Sequence, residues 1–155
     1  GVTMASPQQN ETGLVQILHY LKRNPKLTRK EFWEYWQGTH GPKLVPLVEF
    51  HGCHRYQQLH TFGTVIPNSS ADSAPNAVRN SPSASPSAAA VEFDGIAMFL
   101  VPSLDAFRCM VEDPYYVNVV EPDEHNLLDK AGPGGGVVAS VQGTVASVVQ
   151  GGRTV

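Results

Sequence analysis

The sequence has only two cysteines and no long apolar run. Cys53 and Cys109 lack the C-x-x-C spacing of redox and zinc motifs and are too few for a disulfide framework, so we expect reduced thiols. No apolar stretch approaches the roughly 18–20 residues that a membrane span needs. Residues 1–10 lack the apolar segment of a secretory signal. These absences predict a soluble cytoplasmic protein without a membrane partner.

A metal-binding motif is also missing. The chain has six histidines, but none stands in an H-E-x-x-H or zinc-finger spacing. His51 and His54 are three residues apart at the entrance to a predicted strand, with no obvious acidic partner. We therefore expect no metal ion.

An excess of basic residues is absent as well. The formal net charge is −3 at pH 7, which argues against a nucleic-acid partner, because such surfaces need clustered lysine and arginine beyond neutrality. Five basic residues do stand close together, and we interpret them as a solvated loop and helix start, with steering of an acidic substrate as the alternative: Lys22, Arg23, Lys26, Arg29 and Lys30.

The length of 155 residues fits one domain. We predict a disordered N-terminus over residues 1–12 that begins with a cloning remnant, a single α+β domain over 13–150, and a tail over 151–155. Within the domain, residues 67–90 are almost entirely Pro, Ser, Ala and Asn. Such a segment cannot bury enough apolar surface to offset its ordering entropy, so we predict a flexible insertion, or alternatively a lid over a pocket.

The first half of the chain has a strand–helix–strand pattern. Residues 13–21 are rich in branched apolar side chains, which predicts a buried strand. Thr28 and Glu31 form a T-x-x-E capping box, which predicts the start of a helix with a broad aromatic face. The Gly41-Pro42 pair ends or interrupts that helix. A second strand is predicted over residues 54–60.

The second half repeats this pattern. Residues 93–101 predict a third strand, Ser103 is placed to cap a second helix, and Pro114 ends it. A short helix starts near Pro122, and the β-branched tail supplies a last strand. Two such halves predict a ferredoxin-like βαββαβ fold, with a four-stranded antiparallel sheet and both helices on one face.

Polar side chains alternate along the second strand. His54, Tyr56, Gln58 and His60 share one face, because strand side chains repeat every second residue. Considered alone, this row is either a wet outer surface or the wall of a polar pocket. We expect a second copy of the chain to cover the sheet face that lacks helices, which favours the row lying inside a dimer.

Two segments resemble the EthD family of dimeric α+β barrel proteins. The first is LKRNPKLTRKEFWEYWQGTHGP, and the second runs from FDGIAMFLV through DPYY to VEPDE. The resemblance covers most of residues 14–130, and the insertion and Gly-rich tail depart from it. It implies a homodimer with a pocket between sheet and helices. Relatives in fungal aromatic polyketide pathways are cofactor-free lyases, and other members include cyclases.

The candidate catalytic residues follow from acid–base chemistry, because histidine titrates near neutral pH and tyrosine can donate to a developing oxyanion. The resemblance places a histidine at the helix exit. The predicted catalytic residues are His40, His125 and Tyr56, and the predicted substrate-binding residues are His54, His60, Gln58, Trp36, Tyr116 and Met98.

We therefore predict a cofactor-independent lyase of secondary metabolism. It would act on an aromatic polyketide intermediate, either by decarboxylating a β-keto acid or by dehydrating a β-hydroxy ketone. A cyclase or cofactor-free oxygenase of the same fold is an alternative. A non-catalytic carrier of a reactive aromatic is another.

Overall fold

The computed structural model describes residues 10–62 and 92–155. The predicted insertion over 67–90 and most of the predicted disordered N-terminus over 1–12 lie outside the described residues. The elements follow one another as β1 Val15–Leu21, α1 Arg29–Tyr35, α2 Gly41–Phe50, β2 Arg55–His60, β3 Gly95–Val101, α3 Leu104–Glu112, α4 Glu121–Leu127, β4 Val137–Thr144, β5 Val149–Gln150 and β6 Arg153–Thr154. Two π-helical segments lie between these helices, π1 at Trp36–His40 and π2 at Tyr116–Val120. A short 3₁₀ turn, Pro133–Gly136, precedes β4.

The four long strands form one antiparallel sheet in the order β2-β3-β1-β4. This order, together with a run of helices between β1 and β2 and another between β3 and β4, confirms the predicted ferredoxin-like arrangement. The short strands β5 and β6 form a separate hairpin. Among the described residues, no helix is both long enough and apolar enough to cross a membrane.

The predicted helix starts are confirmed at their caps. Thr28 accepts from the backbone of Glu31, whose side chain in turn accepts from the backbone of Thr28. Ser103 caps α3 by accepting from the backbone of Ala106. Both contacts satisfy N–H groups that have no partner inside a helix.

The Gly41-Pro42 pair interrupts the first helix without ending it. The backbone N–H of Gly41 donates to the carbonyl of Trp36, five residues back, and the helix then continues to Phe50. Glu121, ahead of Pro122, donates to Tyr116 in the same way. Proline has no N–H to donate, so each helix widens to π geometry just before its proline. Such π segments often occur at functional sites.

The core lies between the sheet and the helices. Its buried apolar side chains come from β1, β3 and all the helical segments, and include Ile17, Leu21, Phe32, Trp36, Ala97, Phe99, Met110, Val120 and Leu127. No helix within residues 10–62 and 92–155 covers the other face of the sheet. Apart from the buried Leu100, its apolar side chains are half-buried or exposed: Leu18, Tyr20, Leu59, Ile96, Met98 and Val141. We call this surface the open face.

Candidate functional site

The polar row of β2 faces the helices. Tyr56 lies opposite the buried Phe99 of β3, and Gln58 donates to the carbonyl of Trp36 in π1. The expectation that this row lies on the uncovered face, inside a dimer, is therefore wrong for these residues. Strand pairing decides which face is covered, and alternation alone cannot supply it.

A cavity of about 680 Å³ opens between β2 and the start of α2. Its wall includes Gln37, Gly41, Pro42, Val45, Tyr56 and His60. The volume falls within the usual range of small-molecule sites. This cavity lies between the sheet and the helices, at the sheet edge that β2 forms, and it is open to solvent.

One hydrogen-bonded chain runs along this wall. The amide nitrogen of Gln58 lies 3.0 Å from the Trp36 carbonyl oxygen and 3.1 Å from the Tyr56 hydroxyl. The Gln58 amide oxygen lies 3.1 Å from Nε2 of His60. Trp33 stacks on the His60 ring at 5.6 Å with an interplanar angle of 5°, and the Trp36 ring lies 5.4 Å away.

Burial shifts the pKa values of the two titratable groups in the cavity wall in opposite directions. It raises the pKa of Tyr56, an effect that the side chains of Gln58 and Trp36 partly offset by hydrogen bonding. Burial lowers the pKa of His60. Burial always disfavours the charged form. At neutral pH the cavity wall therefore presents an uncharged phenol and an uncharged imidazole.

Gly95 makes room for the indole that supports His60. A Cβ atom at Gly95 would lie 2.5 Å from Cζ3 of Trp36, closer than carbon atoms can approach. His60 is the register partner of Gly95. Only glycine lets Trp36 occupy this place beneath the end of β2.

His40 is buried behind the cavity wall. Its side chain is only 6% exposed, and Nδ1 lies 2.8 Å from Asp123 of α4. The next residue, Gly41, lines the cavity, but His40 is not among the lining residues. Asp123 fixes the orientation of the His40 ring, as carboxylate partners of histidine commonly do.

Asp123 gathers four donors from both halves of the chain. Its carboxylate lies 2.5 Å from the Tyr35 hydroxyl, 2.9 Å from Nζ of Lys43 and 3.2 Å from the Asn126 amide, besides the contact with His40. Burial on its own would raise the pKa of Asp123, but these hydrogen bonds outweigh it and hold that pKa well below its usual value. The sequence analysis missed Asp123, because no sequence spacing relates it to His40.

Four predicted residues lie away from the cavity. The side chain of His125 is 61% exposed on α4, 3.4 Å from Glu121. Tyr116 lies in π2, and its hydroxyl donates to Glu124 of α4. Met98 belongs to the open face. His54 precedes β2 and lies 3.8 Å from Glu11.

The basic residues near the first helix are more than a solvated loop. Three of them surround Asp94, which is 1% exposed: the backbone N–H of Arg23 and Nε of Arg29 donate to its carboxylate, and Nζ of Lys22 lies 3.9 Å away. Trp33 donates its indole N–H to the Asp94 carbonyl. The cluster therefore anchors the same indole that stacks on His60.

No group of three or more His, Cys, Asp or Glu side chains within residues 10–62 and 92–155 could hold a metal ion. The chemistry that the described side chains of the cavity offer is hydrogen bonding and proton transfer.

Comparison with known proteins supports this fold. The model of the EthD domain matches residues 24–131, which is more than half of the chain. An EthD-like protein from Ralstonia eutropha JMP134 has a similar crystal structure, with a TM-score of 0.51 at 13% identity over 88% of this chain and 95% of that one. That likeness is one of fold. No curated protein matches the chain significantly. The chain belongs to the EthD family.

Proposed function

We propose that this protein is a cofactor-independent lyase that acts on an aromatic polyketide intermediate of secondary metabolism. The observation that carries the proposal is the position of Tyr56 and His60 in one wall of a ligand-sized cavity. Both groups are shifted toward their uncharged forms. An uncharged donor beside an uncharged acceptor suits acid–base chemistry at a carbonyl group.

Both candidate reactions need a donor at the ketone oxygen. Decarboxylation of a β-keto acid and dehydration of a β-hydroxy ketone each pass through an enolate, whose oxygen charge a positioned O–H stabilises. Tyr56 is our donor, because it lines the cavity and burial keeps it protonated. The aromatic character that the product ring gains favours either reaction.

We assign His40 a positioning role. Its Nδ1 is bonded to Asp123, and its neighbour Gly41 forms part of the cavity wall. The pair therefore fixes the junction of π1 and α2 against α4. The catalytic role that the sequence predicts for His40 stays a prediction, as does that of His125.

Turnover of a substrate panel tests the proposed function. The purified chain, with chelator and no added cofactor, is incubated with polyketide β-keto acids and β-hydroxy ketones while mass spectrometry follows each substrate. We expect loss of carbon dioxide or of water. An unchanged mass with a new retention time would instead indicate a cyclase, and a gain of oxygen would indicate an oxygenase. If ligands bind but none of the panel is converted, the protein would be a non-catalytic carrier.

A homodimer is part of the proposal. Leu18 lies between Met98 and Val141 on the open face, and Val141 is 49% exposed. Contiguous exposed apolar surface of this kind marks interaction sites, and a second copy of the same sheet offers a matching apolar surface.

A further inference from the structure

The hydrogen bonds of Gln58 determine which atoms of its neighbours carry protons. The Trp36 carbonyl can only accept, so the Gln58 atom 3.0 Å from it must be the amide nitrogen. The reversed amide would place two oxygen atoms against each other. The second amide hydrogen then points to the Tyr56 oxygen at 3.1 Å. Both hydrogens of the amide are thereby used.

This orientation fixes the state of the other two side chains. The Tyr56 oxygen accepts from Gln58, so its own proton remains available to donate elsewhere. The Gln58 oxygen can only accept, so Nε2 of His60 must carry the proton at 3.1 Å. In an uncharged imidazole the other nitrogen, Nδ1, is then a bare lone pair. No other described residue is hydrogen-bonded to the His60 ring.

We propose that His60 is a catalytic base, that it acts through Nδ1, and that Gln58 is the positioning residue that keeps this nitrogen unprotonated. The substrate class that fits is an uncharged β-hydroxy ketone with an acidic hydrogen on the carbon between the two oxygen functions. This inference rests on the proposed function and selects dehydration among its reactions.

The step is balanced without any further reactant. Nδ1 of His60 takes the hydrogen of the α-carbon as a proton, and the electron pair of the broken C–H bond moves onto the ketone oxygen, where the Tyr56 hydroxyl donates. The enolate then re-forms the carbonyl and expels the β-hydroxyl group. That group takes the proton from Nδ1 and leaves as water, which returns His60 to its starting state.

Two observations favour this substrate class over a β-keto acid. Decarboxylation needs a donor at the ketone oxygen but no base, so it would leave the bare nitrogen of His60 without a role. In addition, all the described residues in the cavity wall are uncharged or, as with His60, shifted toward the uncharged form, so none offers a fixed cation to a carboxylate. The basic cluster beyond Trp33 is engaged with Asp94, and Lys43, which follows the lining residue Pro42, is paired with Asp123.

Among residues 10–62 and 92–155, few titratable groups face His60. On β2, Gln58 separates His60 from Tyr56, which is the nearest titratable side chain of that strand on the same face. From the helices, the rings of Trp33 and Trp36 contact His60, and indole rings do not titrate. The charged groups behind Trp33 are Asp94 and the three basic residues that pair with it, Lys22, Arg23 and Arg29.

The protonation state can be measured without any substrate. Nitrogen NMR of the isotope-labelled full chain distinguishes protonated from bare ring nitrogens, and the spectrum of His60→Gln identifies the His60 signals. We expect a protonated Nε2 and a bare Nδ1 at pH 7, and a mixture of both tautomers in Gln58→Met. A proton on Nδ1 of the unmodified protein at pH 7 would overturn the assignment.

Catalysis is tested with a bicyclic β-hydroxy ketone in deuterated water. The unmodified chain should exchange the α-hydrogen for deuterium and release water. His60→Gln should slow both by roughly 10²–10⁴-fold, and Tyr56→Phe by roughly 10²–10³-fold. The matched control is His51→Gln, which removes a histidine that is also bonded through Nε2 but contacts Asp113, away from the cavity. Its rates should stay within about twofold.

The pH profile separates positioning from mere structural support. Gln58→Glu places a carboxylate beside His60, and we expect the acid limb of kcat/KM to move to a pH about one to three higher. If folded His60→Gln exchanges the α-hydrogen at the unmodified rate, His60 is not the base, although the protein would still be a lyase. Absence of turnover by the unmodified chain across the whole panel would overturn the proposed function itself.

Discussion

At the scale of single residues, Gly95 is a position where one added methyl group should disturb both the fold and the cavity wall. Gly95→Ala would force the Cβ atom into the Trp36 ring. We expect the free energy of unfolding to fall by about 1–3 kcal/mol, as for other overpacked sites, and ligand affinity to fall as well, because Trp36 supports His60. Urea unfolding and ligand titration measure the two effects.

Gly143→Ala is the matched control for that substitution. Gly143 also lies within a strand of the sheet, and a Cβ atom there would meet nothing within 4 Å. Its unfolding curve should match that of the unmodified chain. Equal stability of both variants would show that Trp36 can shift without cost.

At the scale of elements, the Asp123 network joins the helices of the two halves. Asp123→Asn should lower the free energy of unfolding at pH 7 by about 1–3 kcal/mol. The pKa of Asp123 is depressed in the folded state, so its contribution is present above the unfolded pKa of about 3.9 and is lost as pH falls through the folded pKa. The difference between the two proteins should therefore shrink below about pH 4. A difference that stays constant down to pH 2 would contradict this account.

His40→Gln tests the same network by changing the histidine that contacts Asp123. If His40 only positions the wall, this variant should lose stability about as much as Asp123→Asn, and turnover should fall less than tenfold. A roughly 10²–10⁴-fold fall in kcat at unchanged melting temperature would instead place His40 in the chemistry, as the sequence predicts.

At the scale of the whole molecule, the open face should be an interface between two copies. We expect sedimentation equilibrium to give twice the mass of one chain. Leu18→Glu should shift the protein toward a monomer, because it places a charge at the centre of that face. Val148→Glu, at a 71% exposed valine outside the four-stranded sheet, is the control and should leave the mass unchanged. A monomeric unmodified chain would refute the dimer.

The sequence by itself determined the order of the four long strands and the helix starts at Thr28 and Ser103. The capping box of Thr28 and Glu31, the cap at Ser103 and the alternation of Tyr56, Gln58 and His60 depend on local contacts or on strand geometry, which neighbouring residues set. The helical continuation after Gly41 was not predicted, because a proline can either end a helix or sit in the first turn of the next.

Only the tertiary structure decided which face of the sheet the polar row occupies. It also decided which carboxylates lie near the site. Asp123 lies 83 residues from His40, and Asp94 lies 65 residues from Arg29. No periodicity relates positions so far apart. These contacts form because β3 lies between β1 and β2 in the sheet. The second half of the chain therefore packs beside the first. Sheet order and register are properties of long-range packing, and they turn a row of polar side chains into a cavity wall.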